Sequence, residues 1–81
     1  MSLRTSVPAD GAWHQVGTAP ATVQLITVGT AVMVASQTLA PTGADGMILV
    51  NQGDNHTFQA ATAIWVQVIS TTAAVVAVQP E

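Results

Sequence analysis

The 81-residue chain contains no cysteine, no tyrosine and a single basic side chain, Arg4. With no thiol there is no disulfide to staple a small core, and His14 and His56, the only imidazoles, are too few for a structural zinc site. One cation in a chain of net charge -3 cannot neutralise a run of phosphates, so nucleic acid and anionic membrane surfaces are not expected partners. Long apolar runs are missing too. The longest, Ala73 to Val78, falls far short of the about 20 residues that a membrane helix needs. The opening "MSLRTSVPADG" has no apolar stretch after its Arg, so no secretory signal is expected. Charge of either sign is scarce: Arg4, Asp10, Asp45, Asp54 and Glu81 make up 6% of the chain, against about 25% in ordinary soluble domains. A domain of this size buries only about 60% of its unfolded surface, which leaves oligomerisation as the common remaining staple.

What is present is Val, Thr, Ile and Ala in period-two patterns, broken at Gly, Pro, Asn and Asp. That reads as an all-β protein, a single small antiparallel sandwich or barrel built from hairpins. Residues 1–11, with a Pro and no alternation, read as an extended N-terminal arm, and residues 12–81 as one β domain. Strands are expected at Ala12 to Val16, Ala21 to Thr27, Thr30 to Ser36, Met47 to Val50, Thr57 to Ala60, Ala63 to Ile69 and Ala73 to Gln79.

"IWVQVISTTAAVVAVQ", Ile64 to Gln79, holds no charge and reads as a hairpin turning at Thr71 and Thr72. That register sets Val68 against Val75, Val66 against Ala77 and Trp65 against Val78. "TVQLITVGTAVMVA", Thr22 to Ala35, matches Trp65 to Val78 at a constant offset, Val23 with Val66 and Val32 with Val75, and pairs Leu25 with Val32 and Val23 with Val34. Two related hairpins would pack their Val-rich faces together and leave Gln24, Ile26, Trp65, Gln67 and Ile69 outward. Chance matching within a Val-, Thr- and Ala-rich composition is the alternative.

Chemistry finds little to work with. No nucleophile stands beside a base, and Asp10, Asp45 and Asp54 all lie in turn-like sequence, so neither an enzyme nor a cofactor is expected. "GDNH", Gly53 to His56, offers oxygen and nitrogen ligands but reads as an Asx turn entering a strand, and no metal is expected. Trp13 and Trp65 could both be core residues. The alternation along the strand, however, puts Trp65 opposite the Val66 and Val68 face, where it would serve a subunit contact.

The order "AWHQVGTAPATVQLITVGTAVMVA", a loop with Pro and Gly, then "FQAATAIWVQVISTTAAVVAVQP" resembles a class of short virion proteins of tailed bacteriophages, over about Ala12 to Pro80. The resemblance implies a capsid decoration or cement protein on the outer head surface, without cofactor, often trimeric, whose partners are its own copies and the major capsid protein. It also implies an arm that reaches over a neighbour. The interface residues expected on this reading are Arg4 and Val7 in the arm, with Trp13, Trp65, Gln67 and Ile69. A head-fibre or tail component that binds a host surface is the alternative, though the loops Gln37 to Gly46 and Asn51 to His56 carry no aromatic for a glycan.

Overall fold

A computed structural model describes residues 3–41 and 46–80. Eight strands form two antiparallel sheets: β1 (Leu3–Val7), β2 (His14–Thr18), β3 (Ala21–Leu25), β4 (Val32–Ser36), β5 (Met47–Leu49), β6 (Asn55–Phe58), β7 (Ala63–Val68) and β8 (Ala74–Pro80). The first sheet runs β1-β8-β3-β6 and the second β2-β7-β4-β5. This is the connectivity of a jelly roll, so the all-β sandwich expected from the alternation is present. Its core is the space between the sheets, filled by Val23, Leu25 and Val76 from the first and Val34, Ile64 and Val66 from the second, all fully buried.

Neither expected hairpin forms. β3 and β4 lie in different sheets, as do β7 and β8, so each pair is an arch that crosses the core. Val68 pairs with Val32 and Val66 with Val34, while Val23 pairs with Val78 and Leu25 with Val76. Period-two alternation fixes which residues share a face, and Val23, Leu25, Val32, Val34, Val66 and Val68 face inward as expected; β8 does not, since Ala74, Val76 and Val78 face the core where the hairpin register puts Val75 and Ala77. What alternation cannot fix is the partner strand, and the linkers here lack the Asn-Gly or Gly-Gly that would force a tight turn. Instead the two arches lock onto each other. The Ile26 amide donates to the Val75 carbonyl (2.9 Å), and the Ile69 amide to the Ala31 carbonyl (3.0 Å). Thr30, the one buried polar residue among those described, donates to the Thr72 carbonyl (2.8 Å) and meets the Ser70 hydroxyl.

The internal echo extends well past the two arches. The Val23–Val78 pair answers Val66–Val34, Leu25–Val76 answers Val68–Val32, and Arg4–Ala77 answers Ile48–Met33. His56 opposite Val23 likewise answers His14 opposite Val66. Thus β1 to β4 correspond to β5 to β8 in order, related by an approximate two-fold axis. The constant offset slips by one residue within the arch: Val32 corresponds to Val76 rather than Val75, because Val76 is the one that faces the core. Each of the six strand pairings joins one half of the chain to the other.

The N-terminal arm gives way over residues 3–7, which are strand β1 at the edge of the first sheet, in register with β8 from Leu3–Val78 to Val7–Ala74. Val7 is fully buried in the core, so it is a packing residue of its own domain and is not available to a neighbour. Residues 1 and 2, and residues 42–45 of the long loop with Asp45, lie outside the described residues.

Candidate functional site

The sandwich has two outer faces, and the same framework makes them chemically unlike. On the second sheet, β7 alternates half-buried and buried residues from Ala63 to Val68, which turns Trp65 and Gln67 outward. Cross-strand pairing sets Trp65 between Gln15 and Ala35, and Gln67 beside Met33, which in turn faces Ile48. The Trp65 indole N–H donates to the Gln37 carbonyl (3.0 Å), which ties the ring to the end of β4. The Gln67 amide donates to the Gly11 carbonyl, so the segment between β1 and β2 folds back over this face.

Trp13 ends that segment. A Cβ on Gly46 would lie 3.1 Å from the Trp13 ring and 2.6 Å from the Val34 carbonyl oxygen, so only glycine lets the indole and the strand approach so closely. Beneath this cover Met33 and Ala35, although outward by register, are only 6% exposed. Past it the apolar surface is open: Ile48 is 53% exposed, and Met47 and Val50 flank it on the β5 edge. Ile69, just beyond the end of β7, is 44% exposed.

Asp10 fixes the start of the covering segment. Its carboxylate accepts from the Ala12 amide (3.0 Å) and lies 3.0 and 3.1 Å from His14 Nε2. The hydrogen bond with His14 first, and that from Ala12 second, hold its carboxyl below the ordinary carboxylate range. In "GDNH" the Asp54 carboxylate accepts from the Asn51 amide (3.0 Å) and the Val50 amide (3.3 Å), closing its turn, and the His56 ring packs edge-on against Phe58. No three His, Asp or Glu side chains converge among the described residues.

The first sheet presents the opposite chemistry. Its outer face is a groove of about 400 Å³ lined by Arg4, Thr22, Gln24, Asn55, Thr57 and Gln79, with Ala77 at the centre and Ile26 at one end. The expected interface residues are therefore divided. Trp13, Trp65 and Gln67 share the outer side of the second sheet and Ile69 sits at its end, while Arg4 lies across the sandwich on the other face and Val7 lies between the sheets. Met33 and Ile48 join the Trp face unannounced, since only the β4–β5 and β4–β7 registers reveal them as outward neighbours.

Fold and surface together define a small jelly-roll domain with one apolar and one polar outer face. Comparison with protein-family models, curated proteins and solved structures finds no match for the chain.

Proposed function

We propose that this protein is a structural component of a tailed-phage virion, a decoration or cement protein at the outer head surface. The observation that carries this reading is the outer side of the second sheet. Half-buried Trp65 and the exposed Ile48 and Val50, laid over the buried Met33, make it apolar and free of charge, at the edge of a sheet that ends in the short strand β5, where Met47, inward by register, is also exposed. Contiguous exposed apolar surface of this kind is the mark of an interaction site. The jelly roll adds a fold-level analogy, since the architecture recurs in viral capsid domains, and also in lectins and cupins.

In this reading the chain assembles as a homotrimer and seats its Trp face on the major capsid protein. No bond is made or broken. Bridging adjacent subunits adds buried apolar contacts that must separate before the shell yields to the pressure of packaged DNA, and the low surface charge of the chain suits a protein held in such an assembly.

The test uses heads that lack the protein, to which purified wild type and the Ile48→Glu variant are added. Ile48 is exposed, so the variant keeps the fold and places a charge in the proposed contact. Wild type is expected to sediment with the heads and raise their thermal release of DNA, and I48E to do neither. Heads that bind and are protected by both proteins alike would refute the reading.

A further inference from the structure

The groove on the first sheet has a definite structural cause. One cross-strand row runs Arg4–Ala77–Gln24–Asn55 and the next Gln79–Thr22–Thr57. Within the first row a methyl group lies between two long side chains, so the centre of the row is hollow. In the second sheet the corresponding row is Ile48–Met33–Gln67, and there Met33 fills the same place. Under one framework, Ala77 opens a cavity where Met33 closes it.

The lining is selective. Arg4 is the only cation of the chain and, among the described residues, makes no ion pair. Among the described residues no carboxylate lines the groove: Asp10 and Asp54 are engaged in their own turns. Across the sheet from the guanidinium the lining continues with three amides, Gln79, Gln24 and Asn55, which both donate and accept, and the mutually bonded hydroxyls of Thr22 and Thr57 (2.7 Å). Gln24 also donates to the Gly53 carbonyl (3.2 Å), which holds its amide in place.

We propose that this groove binds an acidic saccharide, with Arg4 gripping the carboxylate as a two-pronged donor and the amides and Thr hydroxyls meeting the sugar hydroxyls. A planar guanidinium is matched to a carboxylate, and sugar hydroxyls need partners that donate and accept at once. The volume lies within the about 300–1,000 Å³ typical of small-molecule sites. A peptide fits less well. Strand addition needs a free sheet edge, and β8 and β3, which floor the groove, are each paired on both sides. A single cation is too little for a polyphosphate or a nucleic-acid backbone. The inference does not rest on the virion reading, since it concerns the opposite face.

The experiment is a two-dimensional amide NMR titration of the whole protein with methyl glucuronide, with methyl glucoside as the neutral control. Saturable shifts confined to β1, β3, β6 and β8 are expected with the glucuronide. Arg4→Gln should weaken binding roughly tenfold, about 1.4 kcal/mol. Ala77→Met, which copies the second sheet, should abolish binding while keeping the wild-type dispersion of the spectrum; if A77M does not fold, R4Q decides alone. The proposal is overturned by the absence of saturable shifts, by equal binding of the glucoside, by equal binding of N-acetyl-glutamate amide, or by a folded A77M that still binds.

Discussion

Asp10 and His14 form the one ion pair among the described residues, and both are substantially exposed. The value of the pair is positional: it holds the segment that carries Trp13 across the second sheet. Because the carboxyl of Asp10 is held below its ordinary range in the folded protein, the unfolded chain binds the proton more readily. The stabilisation is therefore complete above the ordinary carboxylate value and is lost as pH falls through the lowered one. Unfolding midpoints in urea, followed by Trp fluorescence from neutral pH down through the carboxylate range, should converge for wild type and Asp10→Asn at the acid end. They should separate in favour of wild type above it. Curves that run parallel throughout would mean that the contact contributes nothing.

Among the elements, β1 makes the sharpest prediction. As a free arm, residues 3–7 could be altered without consequence for the domain. As a strand whose Val7 is fully buried, they cannot. Val7→Ala removes two buried methyl groups and should cost about 1.5–3 kcal/mol, a large part of the about 5–15 kcal/mol that holds a small domain together. Ser6→Ala, on the exposed side of the same strand, should leave the urea midpoint unchanged. An unchanged midpoint for V7A would restore the arm.

The sequence hid β1 for a physical reason. "LRTSV" sets a short, mixed segment before a Pro, and it becomes a strand only because β8, at the far end of the chain, offers it an edge. β3, β4, β7 and β8 were visible because Val, Ile and Thr recur in them with period two, and in β7 that alternation placed Trp65 and Gln67 outward correctly. In β8 it chose the wrong face, and β6, whose "NHTF" has no such alternation, lies at Asn55–Phe58 where Thr57 to Ala60 was expected. Pairing was not visible. The choice between hairpin and arch depends on where a second arch lies, and a local pattern has no access to that. The groove was hidden for the same reason, since Arg4, Ala77 and Gln24 come together only once β1 and β3 flank β8.

For the whole molecule, what matters is that the two halves hold no strand pair of their own. Fragments 1–41 and 42–81 should each be unfolded by circular dichroism when dilute and monomeric, and should regain the β spectrum when mixed in equal amounts. A half that folds alone as a monomer would contradict the topology. A half that folds only as it concentrates would be pairing with its own copies in place of the missing one. With almost every contact non-local, folding should also be slow for so short a chain.

This interleaving reaches back to synthesis. A nascent chain emerges from its N-terminus, and none of β1 to β4 meets a hydrogen-bonding partner until residues beyond 46 have left the ribosome; β8, which completes the first sheet, comes last. The Val-rich strands of the first half thus emerge with open edges, before the strands that pair with them. A first half that meets another chain's second half before its own could close on it with the same strand pairings.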